Sequence, residues 1–75
     1  MEISLYFQDG NDNVITGAPI IYQDRNVPIP SVGEVMVFKS VAWTVNRREF
    51  SYFTDDQKQV VKIQILLECS KIAPV

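Results

Sequence analysis

Histidine is absent from this chain, and cysteine occurs once, as Cys69. A lone thiol excludes an internal disulfide. With no imidazole beside it, a structural zinc set is excluded as well. Without histidine and with one thiol no transition-metal set is expected, and no cofactor motif stands out, so no metal and no cofactor is expected. A hydrolytic triad lacks its usual base. Cys69 shares its parity with Ile65 and Leu67 on an apolar face, where a thiol is poorly ionised and a weak nucleophile. Asp55 and Asp56 adjoin, but neighbours on an extended chain point apart. No acid–base pair meets the requirements of an active site, so the expectation is a protein that is not an enzyme, with no small-molecule substrate.

Net positive charge is also missing. Seven basic residues face nine acidic ones, for a net charge of −2. That removes the electrostatic term behind most non-specific nucleic-acid binding. No apolar run approaches the ~18 residues of a membrane-spanning helix. Met1-Glu2-Ile3-Ser4 carries no basic segment of the kind that opens a signal peptide. An unpaired thiol without an export signal fits a reducing compartment, so the expected location is cytoplasmic. At 75 residues the expectation is a single small domain over 1–75. A chain this short buries only ~60% of its extended surface, so a well-packed core or a partner must complete it.

What is present is strand patterning. Ile3, Leu5 and Phe7 alternate with Ser4, Tyr6 and Gln8, as in a half-buried strand. Asp9-Gly10-Asn11-Asp12-Asn13 reads as a hairpin turn, because Asp, Asn and Gly tolerate positive φ. Its alternating oxygens superficially offer calcium ligands, but Val14 and Ile20 stand where the calcium loop needs Gly and Glu. Val14-Ile15-Thr16 reads as a short return strand, broken by Gly17-Ala18-Pro19. Ile20 to Gln23 is a third apolar segment, ended by the polar cluster Asp24-Arg25-Asn26. Val27-Pro28-Ile29-Pro30 is an extended lead-in, since its prolines lack ladder donors. In Glu34 to Lys39, Val35 and Val37 alternate with Met36 and Phe38, which suggests a strand covered on both sides. Lys39-Ser40 is a tight turn.

The run from Val41 to Phe53 is the most telling segment. Val41, Trp43 and Val45 fall on odd numbers, Phe50 and Tyr52 on even ones. Such a parity change implies a bulge or a sharp bend, as at a barrel corner. Thr54 to Gln57 is the next turn. From Lys58 to Cys69, Val61, Ile63, Ile65 and Leu67 alternate with polar residues and favour a strand. Thr54…Gln57 also has the form of a capping box, so an α+β alternative with a C-terminal helix stays open.

Pro30-Ser31-Val32-Gly33-Glu34-Val35, then Trp43-Thr44-Val45 and Arg48-Glu49-Phe50, resembles a pattern in small uncharacterised bacterial and phage-related proteins. There a P-x-V-G-E-x-V element leads a hairpin whose second strand carries an aromatic-x-Val. The resemblance spans Val27 to Phe53 and implies a small SH3-like barrel rather than an activity. Independently of it, Gly33 can take a backbone angle that a larger residue resists. The hairpin is expected to bring Val35, Val37, Trp43 and Val45 together as cross-strand neighbours.

The expected fold is therefore all-β: a five- to six-stranded SH3-like barrel with one long bent strand and Trp43 in its core. The expected function is a non-enzymatic protein-interaction or assembly module, either a self-associating protein or a small subunit of a larger assembly. Phe50, Tyr52 and Phe53 would be buried across a two-fold axis. Arg47 and Arg48 would reach Glu49 or Asp55 on the rim. If instead the strand bends at Arg47-Arg48, it folds these aromatics into its own barrel. The alternative function is a single-stranded nucleic-acid-binding or regulatory small barrel, with Arg47 and Arg48 among stacking aromatics. Against it, the arginines can lie across rings or pair with Glu49 and Glu34.

Overall fold

The computed structural model describes residues 1–23 and 26–72. Asp24 and Arg25 of the expected polar cluster lie outside the described residues. Five strands form one curled half-barrel sheet: β1 (Glu2–Gln8), β2 (Ile20–Tyr22), β3 (Val35–Phe38), β4 (Val41–Thr54) and β5 (Val60–Lys71). There is no helix among the described residues. The all-β expectation holds, and the curled sheet is of the small SH3-like barrel type. The helical alternative for the last segment falls. A helix would have placed Gln64 and Glu68 beside Val60 and Val61, whereas a strand keeps Ile63, Ile65, Leu67 and Cys69 on one face.

The sheet order is β2-β1-β5-β4-β3. β1 runs parallel to β5, and every other pair is antiparallel. Phe7 on β1 and Phe38 on β3 are three strand spacings apart in that order, ~14 Å in a flat sheet. Their ring centroids are 5.0 Å apart. The sheet therefore rolls until β3 comes back over β1. Ile3, Leu5, Phe7, Val45, Ile65, Leu67 and Cys69 fill the inside of the roll. Val27 and Ile29 of the proline-spaced lead-in pack against them.

The long β4 ladder sets the shape. Its residues at ~3.3 Å each account for most of the 50 Å long axis, against 23 and 22 Å across. The radius of gyration, 13.5 Å, exceeds the ~11 Å of a compact chain of this length.

The parity change in β4 is a bulge. Val45 pairs with Cys69 and Arg47 with Glu68, leaving Asn46 as the extra residue. Asn46 Nδ2 donates to Ser70 Oγ on β5, which holds the bulge side chain. The extra residue keeps Phe50 and Tyr52 on the face that Trp43 and Val45 occupy. Their partners Ile65 and Ile63 share that inner face.

Three expectations are corrected. β3 is not covered on both sides: Val35 and Val37 are 59% and 67% exposed. β3 is the sheet's edge, and no second layer lies on its outer face among the described residues. Nor do Val35 and Val37 face Trp43 and Val45. The two-residue turn pairs Phe38 with Val41, so Met36 meets Trp43 while Val35 meets Thr44 and Val37 meets Ala42. Finally, Val14–Thr16 is not a strand. It contributes one bridge, Gln8 to Val14, and a hydrogen bond from Ile15 N to Phe7 O. Gly17, with φ +82°, turns the chain away before a ladder can form.

Candidate interaction edge

The inner face is arranged in rows that cross the sheet. One row runs Ile20, Leu5, Ile65, Phe50, and the next runs Tyr22, Ile3, Ile63, Tyr52. Burial collapses at the end of each row. Leu5 and Ile65 are 2% and 1% exposed, Phe50 is 38%, and Tyr52 is 61%. The cause is the sheet order. β3 pairs with β4 at Val41–Thr44, and among the described residues the ladder is extended only by hydrogen bonds between Val45 and the Gly33–Glu34 backbone. Past the bulge, no described residue pairs with the outer edge of β4. Residues 47–54 are an open strand edge carrying the ends of two apolar rows.

The five residues singled out from the sequence all lie on this edge, divided between its faces. Arg48, Phe50 and Tyr52 share the inner face, while Arg47 and Phe53 share the outer one. Phe53 is 44% exposed. The aromatics are thus not folded into the barrel.

The two arginines are already engaged. Arg47 reaches Glu49 at 3.1 Å and Glu68 at 3.2 Å on the outer face. Those carboxylates raise the pKa of its guanidinium. The Arg48 guanidinium lies 5.5 Å from the Phe50 ring centre, a cation–π contact. Pairing with Glu34 does not occur. The Glu34 carboxylate instead accepts from Ser31 N at 2.9 Å and closes the turn before β3. Lys62 repeats the pattern on the outer face, 5.8 Å from the Phe53 ring centre and 3.3 Å from Glu2.

Two cavities among the described residues bear on the site. One, of about 340 Å³, is a polar groove on the outer face among Tyr6, Gln8, Glu49, Ser51, Gln64 and Leu66. The Gln64 amide donates to the Tyr6 hydroxyl there at 3.1 Å. The other, of about 260 Å³, is apolar and lies in the seam where the roll fails to close. Its walls are Ile15 and Thr16 on one side and Phe38, Lys39, Val41 and Trp43 on the other. Trp43 packs against the core but is only half-buried, and its ring N–H meets no acceptor among the described residues. The alternation of β4 placed Trp43 inward. It gave no sign of the seam, which depends on how far the sheet rolls.

The turn residues are used structurally. Asp9 Oδ1 accepts from Asn11 N at 2.8 Å and Asn13 N at 3.0 Å. Asp55 Oδ1 accepts from Gln57 N at 2.9 Å and Gln59 N at 3.0 Å. The two loops are copies of one device, each with a positive φ three residues after its aspartate, at Asp12 and Lys58. No cluster of three or more metal-ligating side chains occurs among the described residues.

The N–H groups of Asn11 and Asn13 hold the Asp9 carboxyl below its ordinary range. A carboxyl depressed in the folded state stabilises fully above its unfolded pKa. It loses that contribution as pH falls through the folded value. Melts taken from about pH 5 down to about pH 3 should therefore show a falling midpoint. Asp9→Ala should show a shallower fall over the same window, and an identical slope in both proteins would refute the assignment.

Burial, and secondarily the Glu68 charge, pushes the Cys69 thiol up. Cys69 is 1% exposed and lies between β4 and β1. Ellman's reagent should react with it only as fast as the native fold opens. Titration at the rate of a free thiol would show a reactive, accessible group.

No protein-family model matches the chain, no curated protein matches it, and no solved structure matches it.

Proposed function

We propose that this protein is a non-enzymatic interaction module that works by self-association through the open edge of β4. The observation that carries the reading is the exposure of Phe50 and Tyr52 at the ends of rows that are otherwise buried. Open edges of this kind are natural templates for pairing with another chain. The charged side chains of this edge are engaged within the chain: Arg47 and Glu49 pair with each other, Arg47 also reaches Glu68, and Arg48 lies on a ring. Apolar contact would also supply burial that a short chain lacks.

Single-stranded nucleic acid is the competing ligand. Arg47 is neutralised by Glu49 and Glu68, and the chain is net negative, which weakens that reading. A gel shift with single strands at low salt addresses it directly.

Sedimentation equilibrium at tens of micromolar tests the proposal. The expected mass exceeds one chain and falls to one chain in Phe50→Asp or Tyr52→Asp. Thr44→Asp lies on the stretch covered by β3 and should leave association unchanged. A single-chain mass for the unmodified protein over the whole range would end this reading.

A further inference from the structure

We infer that the partner on the open edge is a second copy of this chain, with the two β4 strands antiparallel and centred on Ser51. The inference rests on the self-association reading above and adds its geometry. Three observations select the register. The first is the length of the edge. It begins at Arg47, because Glu34 and Gly33 occupy the side of Val45, and it ends at Thr54, where the turn starts. Two such edges running in opposite directions overlap fully when residue 47 of one lies opposite residue 54 of the other, so the centre falls between Phe50 and Ser51 and the register lies within one residue of Ser51.

The second observation is the row structure. In the register centred on Ser51, Phe50 stands opposite the partner's Tyr52, and Tyr52 opposite the partner's Phe50. Directly opposed residues on antiparallel strands point to one face. The row Ile20, Leu5, Ile65, Phe50 therefore continues into the partner's Tyr52, then the partner's Ile63 and the partner's Ile3. The other row continues in the same way by symmetry. A register shifted by one residue would set these aromatics against the partner's outer face, where Glu49 and Ser51 stand.

The third observation is charge. Arg48, which meets no carboxylate among the described residues, stands at the start of the edge beside the already paired Arg47, and Asp55 and Asp56 close it. Antiparallel pairing about Ser51 puts the basic end of each copy beside the acidic end of the other, at both rims. A parallel arrangement would put like charges together. On the outer face Glu49 then stands opposite the partner's Phe53, and Ser51 opposite the partner's Ser51. The two five-stranded sheets become one continuous sheet with a two-fold axis through its centre.

Single-cysteine cross-linking reads this register, since Cys69 is buried. Ser51→Cys, treated with a mild oxidant or a short bis-maleimide, should convert most of the monomer band to a covalent dimer. Gln8→Cys on β1 should stay monomeric. Glu49→Cys and Phe53→Cys should each cross-link poorly alone and efficiently when mixed, because only the mixture sets the two thiols opposite one another. Sedimentation equilibrium runs alongside. A dimer that cross-links at Ser51 and in the mixture supports the assignment. A dimer that does neither overturns the β4 pairing and leaves self-association standing. A monomer overturns both. Robust self-cross-linking of Phe53→Cys alone also overturns the register.

Discussion

Leu67→Ala is expected to lower the unfolding free energy by about 2–5 kcal/mol, the range for a buried leucine truncated to a methyl. Leu67 is 0% exposed, the most buried core residue. It sits on β5, the central strand, held by β1 in parallel on one side and β4 on the other. Phe7 is its neighbour on β1. With backbone ladders fixed on both edges of β5, little can move in to fill the space, which places the expected loss in the upper half of that range. A chain of this size has a total stability of about 4–11 kcal/mol, so the variant should be largely unfolded at modest urea. Tyr52→Ala removes a larger side chain from the same inner face. Because Tyr52 is 61% exposed, its loss should move stability by less than about 0.5 kcal/mol when measured where the chain is monomeric. Urea titrations of both variants decide the matter. Equal losses would mean that the apolar rows do not grade from buried to open across the sheet.

That gradient was only half legible in the sequence. The alternation of β1 and β5 named the inward residues, because a strand's period assigns faces without reference to its neighbours. Ile3, Leu5, Phe7, Ile65, Leu67 and Cys69 are inside as expected. The bulge was legible for the same reason: an odd set and an even set of apolar residues on one strand need an extra residue between them. Neighbours were not legible. The parallel pairing of β1 with β5 joins residues about sixty positions apart, and nothing in either segment names the other. The β3–β4 register differs from the one the alternation suggests. Val35 to Phe38 is apolar at every position, so its own pattern cannot choose a face. The two-residue turn at Lys39-Ser40 makes that choice by opposing Phe38 to Val41. The capping-box reading at Thr54 had a physical basis too. An acidic or hydroxyl side chain that accepts backbone N–H groups serves a helix start or a tight turn equally well, and Asp55 does the latter. For the candidate edge, the sequence placed Arg47, Arg48, Phe50, Tyr52 and Phe53 on one strand. Their division between two faces follows from the strand's pleat. Their exposure follows from where β3 stops, which only the assembled sheet reveals.

The Lys39-Ser40 turn carries the second large effect, in the opposite direction. Lys39 and Ser40 have φ of +50° and +67°. Both central residues of this hairpin thus lie in the left-handed region, the signature of a type I′ turn, whose twist matches that of the strands it joins. Neither residue suits it. A left-handed conformation costs an ordinary L-residue roughly 1–2 kcal/mol, while glycine and asparagine adopt it routinely. The fold accepts this cost because the register it fixes places Met36 and Phe38 on the side of the core. Replacing the pair by Asn-Gly should relieve most of the strain at both positions. Glycine at position 40 gives back about 0.5–1 kcal/mol through the greater freedom of the unfolded chain. The net expectation is a gain of about 1–2 kcal/mol. For a domain of this size each kcal/mol raises the melting midpoint by about 4–8 °C. Ser40→Val sets a β-branched side chain in the same region and should lower the midpoint instead. Lys58, at φ +63° in the β4–β5 turn, offers an independent replicate: Lys58→Gly should also stabilise, by less than the double replacement. Thermal melts of the four proteins rank these outcomes. A midpoint unchanged by Asn-Gly and tolerant of Ser40→Val would show that the turn does not hold both residues left-handed, and the register of β3 against Trp43 would fall with it.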